Sequence, residues 1–134
     1  MAYMLLMIEP TGQRATRTRE QGQAVYARMQ RFADELKAQG LLLGVESLAS
    51  SNQASRVQVR DGRARVVDGP FAETKEMVGG FFLVDCDNRD EALAIAKRCP
   101  AAEWCTVEVR SLAPCFDDSN AAVPAVESGS RGSS

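Results

Sequence analysis

Apolar and polar positions along the chain form runs that repeat one order twice. Tyr3-Met4-Leu5-Leu6-Met7-Ile8 is apolar at every position, the pattern of a strand covered on both faces. Glu9-Pro10-Thr11-Gly12 breaks the run, and a polar loop follows through Arg14 and Arg17. Thr18, with Gln21 three residues on, has capping-box spacing, which predicts a helix starting near Arg19. Val25, Met29, Phe32 and Leu36 then form one apolar stripe on a 3.6-residue period. Gly40 supplies the left-handed residue that ends the helix, and Leu41 to Leu48, interrupted by Gly44, predicts a second strand.

Ser50 to Ser55 is a polar connection, and Arg60-Asp61-Gly62-Arg63 follows with the Asp-Gly dipeptide of a two-residue hairpin turn. That turn sets Arg60 against Arg63, Gln58 against Arg65 and Val57 against Val66. The alternation agrees: Val57, Val59, Ala64 and Val66 share one face, and Arg56, Gln58, Arg60, Arg63 and Arg65 share the other. Asp68-Gly69-Pro70 ends the hairpin. Gly79-Gly80 leads into an apolar strand over Phe81 to Val84. Asn88, with Glu91 three residues later, caps a second helix striped by Ala92, Ile95, Ala96 and Cys99 and stopped at Pro100. The last strand, Trp104 to Arg110, alternates Cys105, Val107 and Val109 with Thr106, Glu108 and Arg110.

The order is βαβ, an inserted ββ hairpin, then βαβ. A ferredoxin-like α+β antiparallel sheet with both helices on one face satisfies it. The first and fifth strands are apolar front and back, and two helices cover only one face. The exposed face exceeds what soluble monomers usually show, so a homodimer that packs sheet against sheet, a dimeric α+β barrel, is expected. Residues 1–116 form the expected single domain. From Asp117 the chain turns to Ser, Gly and Ala, as in a flexible tail.

Composition narrows the chemistry. The 134 residues carry 16 Lys plus Arg against 18 Asp plus Glu, a net charge of −2, which offers no global attraction to nucleic acid. No run approaches the roughly 18 apolar residues of a membrane span, and the apolar start lacks the basic flank of a signal peptide. Cys86, Cys99, Cys105 and Cys115 form no CxxC pair and His is absent, so neither a metal site nor a cofactor is expected. Reduced, packed thiols in a cytoplasmic protein fit this pattern. Asp85, Asp87, Asp90 and Glu91 superficially resemble a calcium loop, which fails where Asp90 replaces the required Gly and Ala96 the required Glu.

The densest chemistry lies in Asp68-Gly69-Pro70-Phe71-Ala72-Glu73-Thr74-Lys75-Glu76. Asp68, Glu73, Thr74, Lys75 and Glu76 beside Phe71 make an acid, base and hydroxyl set for a small polar ligand. The same residues equally serve a turn, an anchored loop and self-paired charges. Arg56, Arg60, Arg63 and Arg65 form a like-charged hairpin face, a weak candidate for anion binding beside the simpler reading of a solvated face. The cysteines lack the His partner of a catalytic thiol. Trp104 is expected at a subunit contact.

The nine-residue run resembles the signature of the DGPF branch of the YCII-related family. Tyr3-Met4-Leu5-Leu6, Gly79-Gly80-Phe81 and Val107-Glu108-Val109-Arg110 match around it, over roughly residues 1 to 112. The resemblance implies a small dimeric α+β barrel. The wider group carries a His and an Asp from which an enzymatic role has been inferred, and this chain has no His to fill that dyad. Fusion of DGPF members to sigma-70-type factors implies the alternative of a non-catalytic interaction protein, an accessory in transcription initiation. The expectation is therefore a small-molecule-binding dimer of undefined substrate, with that alternative beside it.

Overall fold

A computed structural model of the chain describes residues 1–71 and 73–116; the proposed tail, 117–134, lies outside the described residues. The elements run β1 (Ala2–Pro10), α1 (Arg19–Ala38), β2 (Leu42–Ser47), β3 (Ser55–Arg60), β4 (Arg63–Asp68), β5 (Glu76–Asp85), α2 (Arg89–Arg98) and β6 (Thr106–Ser111). Short 3-10 turns at Gln13–Thr16, Ser51–Gln53 and Pro100–Glu103 punctuate them. The fold is α+β: a four-stranded antiparallel sheet of order β2-β5-β1-β6 and a separate β3-β4 ribbon.

Alternation along β1 decides which face is buried. Tyr3, Leu5, Met7 and Glu9 point into the core, while Met4, Leu6 and Ile8 are half-buried on the opposite face. Phe82 and Val84 of β5 join the first set, and Phe32, Ala33, Leu36, Ala92 and Ile95 of the two helices close over it. Both helices therefore cover the same face. Phe32 meets Phe82 edge to face at 5.3 Å and 74°, a favoured aromatic geometry. The capping box forms as its spacing predicts: Thr18 Oγ1 accepts from the Gln21 amide, and the Thr18 amide donates to Gln21 Oε1. Asn88 likewise caps α2 through the Glu91 amide.

β1 and β5 run longer than the sequence expectation, for one physical reason, while β2 and β6 differ from it by one or two residues at their ends. β1 continues through Glu9 to Pro10, and β5 begins at Glu76 rather than Phe81. Met7 pairs with Gly80 and Ile8 with Val78, so Gly79 is an extra residue in the ladder, a β-bulge. A bulge carries pairing past a glycine pair that looks like a strand end and bends the strand there.

The ribbon has the register its Asp-Gly turn predicts, with Arg60 opposite Arg63, Gln58 opposite Arg65 and Val57 opposite Val66. Asp61 and Gly62 both take positive φ, 52° and 75°, the backbone of a type I′ turn. All twelve positions of its two strands are exposed, so the ribbon does not roof the open face of the sheet.

Within α1, Gly22 faces open space: a Cβ there meets nothing within 4 Å. Gly22→Ala is expected to raise unfolding free energy by about 0.5–1 kcal/mol in urea titrations. A loss of stability would show that the position is hemmed in.

Candidate functional site

The end of β1 carries a charged residue on the core face. Glu9 has the parity of Tyr3, Leu5 and Met7 and is 8% exposed, and a carboxylate so buried needs a partner. The partner comes from the loop that follows. Gly12, at φ 88°, turns the chain into the 3-10 turn at Gln13–Thr16, and Arg14 reaches back with its Nε 2.6 Å from Glu9 Oε1. Its Nη1 donates to the Leu48 carbonyl at 2.8 Å and its Nη2 to the Gly79 carbonyl at 3.3 Å. One guanidinium thus ties together β1, the chain leaving β2 and the bulge in β5.

Gly79 makes this possible by close approach. A Cβ at that position would overlap Glu9 Oε2, with Glu9 Cδ 2.8 Å and Arg14 Nη2 3.0 Å away. The adjacent Gly80 is held as tightly, its Cβ position falling 2.7 Å from the Glu46 carbonyl oxygen. The bulged strand end therefore carries no side chains beneath the first half of α1. Val25 and Met29, the N-terminal half of the helix stripe, stay half-buried and face a cleft of about 450 Å³, with the Glu9–Arg14 pair among its lining groups.

Trp104 and Cys105 line the same cleft. Gln13 Nε2 donates to the Trp104 carbonyl at 2.7 Å. The guanidinium carbons of Arg17 and Arg28 lie 5.9 and 5.3 Å from the Trp104 ring centre, within cation–π range. Arg28 is also bidentate to Glu103, at 3.0 and 2.8 Å, and this contact lowers the pKa of the Glu103 carboxyl. Burial first, and the Glu9 charge second, push the Cys105 thiol up to about 11. Burial likewise raises Cys99 and Cys86. None of these three thiols is a ready nucleophile at neutral pH.

The signature loop has its own architecture. Gly69 sits so close to the Ser51 carbonyl that a Cβ would overlap it, its amide donates to the Ala54 carbonyl at 2.7 Å, and the Gly69–Pro70 peptide is cis. Ser55 Oγ donates to Asp68 at 2.6 Å. Phe71 is buried under the Arg56 guanidinium, whose central carbon is 3.8 Å from the ring centre. Arg56 also lies 3.6 Å from exposed Glu73. Thr74 Oγ1 donates to the Phe71 carbonyl at 2.7 Å. Phe71, Thr74, Glu76 and Arg56 line a second, more open cleft of about 810 Å³ with Ile8 and Glu108. Asp68, Glu73 and Lys75 are exposed outside that lining, and Arg60, Arg63 and Arg65 stand on the exposed ribbon, lining neither cleft.

Glu9, Arg14, Arg17 and Gly79 were not singled out by sequence as site residues. A signal was present: Glu9 continues the i, i+2 series Tyr3, Leu5, Met7, and an acid on a buried strand face demands a cation. Trp104 packs against the core beside α1, in cation–π range of Arg28. Among the described residues no group of three His, Cys, Asp or Glu converges as a metal site, and no helix is long and apolar enough to cross a membrane.

A family model described as YCII-related domain matches residues 1–115. An uncharacterized protein of Rhizobium meliloti (strain 1021) is 33% identical over 115 residues, covering 84% of this chain and 93% of its own length.

The raised thiol has a measurable consequence. The folded protein holds the Cys105 proton from the ordinary value of 9.0 up to about 11, while the unfolded chain releases it, so this group makes stability fall as pH rises through that interval. At pH 8, iodoacetamide is expected to label exposed Cys115 and spare Cys105. Labelling of Cys105, followed by peptide mass spectrometry, is expected to rise as pH nears 11.

Proposed function

The chain belongs to the YCII-related family, and within that frame we propose that it is a small-molecule-binding protein whose ligand enters the cleft between α1 and the sheet. The observation that carries this reading is Glu9. It is nine-tenths buried, one oxygen is held by Arg14, and Oε2 accepts no hydrogen bond among the described residues. A carboxylate oxygen with spare acceptor capacity, on a largely buried residue at the wall of a cleft of ligand size, is a usual element of a recognition site. Gly22 supports it. This glycine costs helix stability, no atom of the protein requires it, and it faces the cleft.

The signature loop enters this reading mainly as architecture. Phe71 anchors it, Gly69 allows its approach to Ser51, and its charged groups are exposed. The second cleft, with Thr74 and Glu76, is the secondary candidate site. The exposed valines of the ribbon, Val57, Val59 and Val66, favour a contact with another protein and so keep the interaction-protein reading as the second one.

The reading includes a ferredoxin-like subunit and a homodimer. The strand order β2-β5-β1-β6 with both helices on one face supports the first. The uncovered, largely apolar face of Met4, Leu6, Ile8, Phe81 and Leu83 supports the second. Wild-type protein is expected to sediment at twice the chain mass, and Leu6→Glu, at the centre of that face, at the chain mass. A wild-type monomer at micromolar concentration would refute the dimer.

The ligand site is tested by saturation-transfer NMR with a library of small fragments. Fragments are expected to bind wild type, and Gly22→Phe, which fills open space over the cleft, is expected to abolish their signals without loss of the folded spectrum. Equal binding to both proteins would remove the cleft as the site.

A further inference from the structure

The charges around the cleft are unequally used. Arg14 donates from Nε, Nη1 and Nη2 to Glu9 and two carbonyls. Arg28 is bidentate to Glu103. Arg17, the other guanidinium over Trp104, touches only Gln13 Oε1, at 3.3 Å, and no carboxylate among the described residues. It is half-buried and lines the cleft, as does Arg19, the first residue of α1. The amides of Arg19 and Glu20 lie in the first turn, where a helix leaves its N–H groups without internal partners, and the helix dipole adds positive potential there. Glu46 is the other acid on the lining besides Glu9, and it is exposed on β2. The cleft therefore offers positive charge at Arg17 and Arg19 and, on the same lining, a free acceptor at Glu9 Oε2, beside Gly79.

Resting on the cleft as the ligand site, we infer that the ligand is a small acid with an apolar body, its carboxylate at Arg17 and the first turn of α1, its opposite end donating a hydrogen bond to Glu9 Oε2. An arginine with unspent N–H groups matches a carboxylate in shape and charge. The acceptor at the other end selects for a hydroxyl or amine, because an analogue lacking that donor would cover Oε2 without giving it a hydrogen bond. Trp104 and Met29 contact the apolar body.

The chain contains one tryptophan, and it lines the cleft, so Trp104 fluorescence reports occupancy in the intact wild-type protein. The probes are 4-hydroxybenzoate, which has both groups; benzoate, which lacks the donor; and methyl 4-hydroxybenzoate, which lacks the charge. At pH 7 the first is expected to bind at least tenfold tighter than either of the others. Arg17→Gln is expected to weaken 4-hydroxybenzoate about tenfold and to leave the ester within twofold, with the folded spectrum intact. An ester as tight as the acid, or benzoate as tight as 4-hydroxybenzoate, overturns the inference. If none of the three changes Trp104 emission, the inference also fails. Fragment binding blocked by Gly22→Phe would still uphold the cleft itself, so the two failures are distinguishable.

Discussion

The contact between Glu9 and Arg14 is the constraint on which the cleft end of the molecule is built. A carboxylate on the core face of a central strand is costly unless a cation and hydrogen bonds meet it. Arg14 meets it at 2.6 Å and in the same gesture caps the carbonyls of Leu48 and Gly79. The Leu48 carbonyl lies just past the end of β2, and the Gly79 carbonyl, which already accepts from the Leu48 amide at 2.9 Å, takes Arg14 as a second donor. The 3-10 turn, the bulge, the glycine pair and the exit of β2 are thus mutually dependent. The carboxylate rests against Gly79 where any other residue would place a side chain.

The cleft follows from that dependence. Farther along the sheet, Phe32 and Leu36 of α1 pack against Phe82 and its neighbours as an ordinary core. At the bulged end there is backbone and a paired charge in place of apolar side chains, so Met29 packs only partly against that core and Val25 faces the cleft. One helix stripe thereby does two jobs, sealing the core with its C-terminal half and lining the cleft with its N-terminal half. Cys105, with its thiol pushed up by the same burial and the same carboxylate, belongs to the lining as a neutral group.

The other face of the sheet obeys a different constraint. Two helices give one layer, and β1 and β5 are apolar on both sides. The ribbon stands exposed and the signature loop packs at the edge, where Phe71 is clamped beneath Arg56. What looks in one dimension like a dense set of reactive groups is in three dimensions a wedge between the ribbon and the sheet, with Asp68, Glu73 and Lys75 turned outward.

Local signals in the chain were enough for the element order, both helix caps, the ribbon register and the double-sided strands. Each depends on residues a few positions apart: Thr18 with Gln21, Asp61 with Gly62, apolar runs of period 2 or 3.6. The bulge at Gly79 and the burial of Glu9 depend on segments about seventy residues apart meeting across a ladder, and it is that burial which calls for Arg14, five residues from Glu9. A glycine pair beside an apolar run has the same local appearance whether it ends a strand or bends one. Sequence therefore determined the layers and their greasy faces. Tertiary pairing alone decided where the helix and sheet part, since a cleft is set by the side chains missing from the opposing strand.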